Sequence, residues 1–131
     1  MFFFKFLYDH RRTSFLLFLL TFALLIYGLF APSVSSGISF PNLDKIIHFF
    51  GFLVVFLLGR FSTHTWVRIS YWVFPIVAAV LLEYFQGQLV KSRHFSYADM
   101  LANIMGVAAA ALLWISFIKL EQSSSEDSET S

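Results

Sequence analysis

The chain has 131 residues, 58% hydrophobic and 20% aromatic, with 13% charged and a net charge of +1. A water-soluble domain carries about a quarter charged residues, so most of this surface suits lipid rather than water, and no basic stripe on a polar face suggests nucleic acid. With no cysteine, disulfide staples and thiolate chemistry are excluded, and the length leaves room for one compact domain.

Residues 1–13 form a short basic lead with Lys5, Arg11 and Arg12. The first apolar run, SFLLFLLTFALLIYGLFA at 14–31, follows it. The basic lead and the following APSVSSG allow a signal-peptide reading, but the long core and the membrane-like remainder favour an uncleaved anchor. The second run, KIIHFFGFLVVFLLGRF at 45–61, is short. It crosses a bilayer if Lys45 and Arg60 extend their stems toward the two interfaces. The third run, at 70–90, contains Pro75, which either kinks a helix or marks its start. The fourth spans 98–118. Its Gly106 and Ala110 form a small-xxx-small step suited to close helix packing.

Roughly 17–25 apolar residues span a bilayer core, and the first, third and fourth runs reach that length. Isolated strands would leave backbone groups unpaired in lipid, so helices are expected. The expected fold is all-α, an integral membrane four-helix transmembrane bundle over residues 14–118. The Ser-rich acidic end at 119–131 is expected to be a disordered tail. Tyr8, Trp66, Tyr71, Trp72 and Trp114 fit an interfacial aromatic belt.

Orientation follows from the basic residues. Lys5, Arg11, Arg12, Arg60, Arg68 and Lys119 fall on one side, against Lys45, Lys91 and Arg93 on the other. The richer side is expected to be cytoplasmic, which places both termini inside and the segments near 32–44 and 91–97 outside.

With that topology the polar residues of the runs gather at one depth. Glu83 and Gln86 lie near the outer end of the third run. Asp99 and Asn103 share a face at the start of the fourth. Asp44, Lys45 and His48 begin the second, and Arg93, His94 and Ser96 connect the last two. The inner halves carry almost no polar residues. Ionisable groups inside a membrane usually face a bundle interior and mark a site.

Each residue also has a structural reading. Glu83 is either a site carboxylate or the partner of Arg93 or Lys45 in a helix-locking pair. His48 is either a core histidine bonded to Asp99 or a carbonyl, or a general base or ligand. Asp44 suits an N-cap of the second helix, and Ser96 suits the start of the fourth. Arg93 either anchors at headgroups or grips a phosphate or carboxylate. His48, Glu83 and Asp99, with His94, could ligate a cation, but their spacing is not diagnostic and Lys45 and Arg93 would repel one. No metal or cofactor is therefore expected. A Ser96 hydrolase lacks a nucleophile-elbow signature.

DKIIHFFGF at 44–52, EYFQ at 83–86 and RHFSYADMLANIMG at 93–106, in this order, resemble the VanZ-like family of small bacterial membrane proteins. The resemblance covers the second to fourth runs. It implies a four-helix domain in the bacterial cytoplasmic membrane, with Asp44, Lys45, His48, Glu83, Gln86, Arg93, Ser96, Asp99 and Asn103 as its characteristic polar set. The family's namesake is associated with resistance to the glycopeptide teicoplanin. Three functions are open on this reading. The first is binding of an anionic lipid or cell-envelope component, with Lys45 and Arg93 contacting the anion. The second is an enzyme acting on a lipid-linked substrate, with His48 or Glu83 as general acid or base. The third is a structural protein whose polar cluster fixes helix packing. Membrane lipids are the expected partners.

Overall fold

A computed structural model describes residues 2–31, 42–63, 70–90 and 94–129, with side chains throughout these ranges except 70–72 and 125–129. Among the described residues the regular structure is entirely helical: α1 (Phe2–Asp9), α2 (Arg11–Phe30), α3 (Leu43–Thr63), α4 (Ser70–Leu89) and α5 (Tyr97–Glu129). Three segments, Arg11–Phe30, Leu43–Thr63 and Tyr97–Ser124, are long and apolar enough to cross a membrane, and Val73–Leu89 adds a shorter apolar helix. Phe15, Leu16, Leu20, Leu24, Ile47, Phe74 and Leu112 all stand exposed on these helices. Lipid is the solvent such a surface suits, since soluble monomers rarely expose large contiguous apolar patches.

The basic lead is itself helical. α1 and α2 are separated at His10, whose backbone leaves the helical region (φ −108, ψ 65). The buried Ser14 hydroxyl donates to Leu7 O at 2.6 Å, which satisfies a carbonyl left open where α1 ends. α1 then lies across one end of the bundle with Leu7 fully buried. Lys5 pairs with Glu121 of α5, and this hydrogen bond and charge raise the Lys5 ammonium above its usual pKa. Arg11 donates from Nε to Ser62 O at 3.3 Å and from a terminal nitrogen to Thr63 O at 3.1 Å. A cation there satisfies the last carbonyls of α3 and complements its dipole.

At the opposite end α2 stops at Ala31, whose extended backbone (φ −65, ψ 138) is what the following Pro32 requires. α3 starts after Asn42, which takes the left-handed conformation (φ 61) that asparagine tolerates better than most residues. α2 and α4 run toward the end where α3 and α5 begin. α3 is the most buried of the long helices, and it packs mainly on α5 and α2. Gly106 makes the first of these contacts possible. A Cβ there would stand 2.3 Å from Phe49 O and 3.1 Å from Leu53 N, so the α3 and α5 backbones touch at this point, as the Gly106–Ala110 step predicts.

The interior is layered along the bundle. One end is aromatic, with Phe61, Trp114 and Phe117 packed with Leu7, Leu57 and Leu58. The middle is aliphatic around Leu25, Leu29, Phe52, Val55, Ala79 and Val107. The far end is polar.

Several expectations change here. Arg60 does not reach an interface. It is completely buried, with its guanidinium 4.8 Å from the centre of the Trp114 ring, because the aromatic face offers a cation partner inside the bundle. Trp114 is accordingly a core residue, set edge-on to Phe61 at 5.3 Å, not part of a belt. Tyr8 packs against Phe117 at 5.5 Å. Trp66 lies outside the described residues, as do the side chains of Tyr71 and Trp72. With Ser14 and Ser62 also buried, the aromatic end is not free of polar groups. Pro75 does not start its helix, which begins at Ser70 and holds the proline inside. α5 continues as helix through the acidic segment to Glu129, where a disordered tail was expected.

Candidate functional site

The polar end is assembled from three helices at matched depth. His48 lies five residues into α3, Glu83 six before the end of α4, and Asn103 six into α5. At about 1.5 Å per residue these are all about 7–9 Å below the same end of the bundle. All three are buried, with exposures of 3%, 1% and 0%, so none is held there by water.

Their contacts are specific. His48 Nδ1 stands 2.9 Å from Asn103 Oδ1 and 3.9 Å from Glu83 Oε2. Glu83 Oε1 accepts the Ser96 backbone N–H at 2.9 Å. That last bond crosses from α4 to the segment before α5, and Gly87 permits it. A Cβ on Gly87 would lie 2.7 Å from Phe95 N, so the chain folds back directly over this glycine, one turn beyond Glu83. Ser96 then caps α5, its Oγ accepting from Asp99 N at 3.2 Å, as its sequence position suggests.

Above the buried trio sits a charged rim. Lys45 Nζ pairs with Asp44 Oδ2 at 2.8 Å and with Asp99 Oδ1 at 3.5 Å. Asp44 is therefore an ion-pair partner in the first turn of α3, where a carboxylate suits the helix dipole, and Asn42 occupies the position before the helix. The expected bond from His48 to Asp99 is replaced by the bond to Asn103, one helical turn deeper and level with the imidazole. Gln86 turns away from the trio. Its Nε2 donates to Leu29 O at 2.6 Å, fastening α4 to the last turn of α2. Arg93 lies outside the described residues, and His94 is exposed.

Sequence reasoning missed a feature beside this cluster. A groove of about 440 Å³ runs between α2 and α3. Thr21, Leu24 and Val54 line its apolar length, and Asp44 and His48 stand at its polar end. Two helical glycines shape it. A Cβ at Gly51 would press on Leu25 Cδ1 at 2.9 Å, whereas one at Gly28 would meet nothing within 4 Å. Paired glycines on neighbouring apolar helices were the available signal.

The site can donate hydrogen bonds from Lys45 and Asn103, or ligate a cation through His48, Glu83 and Asp99. No protein-family model, curated protein or solved structure matches the chain.

Proposed function

We propose that the chain is a four-span protein of the bacterial cytoplasmic membrane that binds an anionic lipid or lipid-linked envelope component at its polar end. Both termini face the cytoplasm on this reading, and the His48–Glu83–Asn103 trio lies in the outer half of the bundle. The acyl chain lies in the α2–α3 groove and the headgroup meets Lys45, His48 and Arg93. The resemblance of residues 44–52, 83–86 and 93–106 to the VanZ-like family is part of the same proposal.

The observation that carries it is that the groove reaches His48, one member of the trio. A cluster kept only to register helices needs no opening to lipid. Here an apolar channel flanked by the exposed Leu24 and Val54 ends on the buried His48. Ligand sites commonly combine such an apolar wall with a few convergent polar groups.

Gly28→Phe tests the proposal, because the new side chain starts in open space and enters the groove that Gly28 lines. Both proteins are purified in mild detergent, and their retained lipids are measured by mass spectrometry against the bulk membrane. The wild type is expected to enrich one anionic lipid class, and Gly28→Phe to lose that enrichment while remaining folded. A wild-type lipid profile equal to the bulk membrane overturns the lipid reading.

A further inference from the structure

We infer that His48, Glu83 and Asp99 form a binding site for a divalent first-row cation, of the zinc or manganese kind. One ring nitrogen of His48 and one carboxylate oxygen from each acid lie within 4.8 Å of one another. Opposite ligands of such an ion, each at about 2.0–2.2 Å, stand at most about 4.4 Å apart. Side-chain rotations of about half an ångström bring the widest separation to that limit, and somewhat larger ones give tetrahedral spacing. The three residues come from three different helices, α3, α4 and α5.

Charge points the same way. His48 and Glu83 are buried and Asp99 is partly so, and two carboxylates beside an imidazole are a ligand set that suits a divalent cation. Buried charge is tolerated when it is paired or coordinates a metal. Lys45 does not block the ion. Its nearer partner is Asp44 at 2.8 Å rather than Asp99 at 3.5 Å, so Asp44 keeps the ammonium when Asp99 turns inward.

A second observation is independent of the ligand set. Asn103 is completely buried, and its Nδ2 makes no hydrogen bond. The same amide touches His48 through Oδ1. An unpartnered buried donor is costly, and one beside a metal ligand is suited to a water or phosphate oxygen bound to the ion. Three protein ligands leave coordination positions open, which lets a carboxylate-rich site accept an anionic headgroup. The ion site itself stands whether or not the lipid reading does.

The protein, purified on a tag without histidine, is stripped with chelator and dialysed against Zn²⁺ or Mn²⁺. Bound metal is measured by inductively coupled plasma mass spectrometry. The wild type is expected to retain about one ion per chain and to melt at a higher temperature with it. His48→Ala and Glu83→Gln are expected to lose the ion, and His94→Ala, altering an exposed imidazole, to keep it. Folded wild type that retains neither ion overturns the inference with no variant required. Equal retention by His48→Ala and Glu83→Gln overturns it as well.

Discussion

Gly106→Ala is the smallest change that tests how the bundle holds its polar end together. The added Cβ would lie 2.3 Å from Phe49 O, against an ordinary contact of about 3.5 Å. α3 and α5 must therefore separate locally by about 1 Å. Overpacking of this kind costs about 1–3 kcal/mol, partly offset by the helix preference of alanine over glycine, about 0.8–1 kcal/mol. Gly28→Ala supplies the same offset without the clash, since nothing lies within 4 Å of its Cβ. The difference in unfolding free energy between the two variants isolates the packing penalty, about 1–3 kcal/mol. It can be read by SDS titration in mixed micelles followed by circular dichroism. The separation also reaches the site. Phe49 adjoins His48, and Asn103 lies three residues before Gly106, so their 2.9 Å contact lengthens by about 1 Å, beyond hydrogen-bond range. Imidazole nitrogen chemical shifts should report that loss in Gly106→Ala and not in Gly28→Ala. Equal stability of the two variants, with unchanged His48 shifts, refutes the close approach of α3 and α5.

Gly87→Ala should push the Phe95 backbone away and break the Ser96 N–H bond to Glu83, speeding hydrogen exchange at Ser96 and lowering stability by about 1–3 kcal/mol. Gln86→Leu removes the α4–α2 hydrogen bond to Leu29 O. It should cost about 0.6–1.7 kcal/mol, the range for interhelical hydrogen bonds in membranes, measured by the same SDS titration. Reporter fusions after residues 37, 64 and 93 should read outside, inside and outside, as the distribution of lysine and arginine requires; a C-terminus found outside overturns the orientation.

The helices were legible because apolar runs of this length leave so little choice. Long apolar runs must pair their backbone internally, and the structure places helices across all four. The meeting of His48, Glu83 and Asn103 was legible too, since helical rise converts sequence distance from a helix end into depth. Partner choice was not. Whether His48 meets Asp99 or Asn103 depends on the axial offset of α3 and α5, which the Gly106 contact sets and no single helix encodes. Arg60 misled for a related reason. At the end of an apolar run a basic residue ordinarily reaches for water, and only the tertiary position of Trp114 gives it a face to lie on inside. The groove escaped notice because it is made by what Gly28 and Gly51 lack.

The proposed ligand places a lipid chain in the α2–α3 groove with its polar group at His48. Photo-crosslinking with an anionic phospholipid carrying a diazirine in its acyl chain locates that chain, with labelled residues mapped by peptide mass spectrometry. Labelling is expected to concentrate on Leu24 and Val54 and to be lost in Gly28→Phe. Labelling spread evenly over all exposed apolar faces, and unchanged by Gly28→Phe, contradicts it.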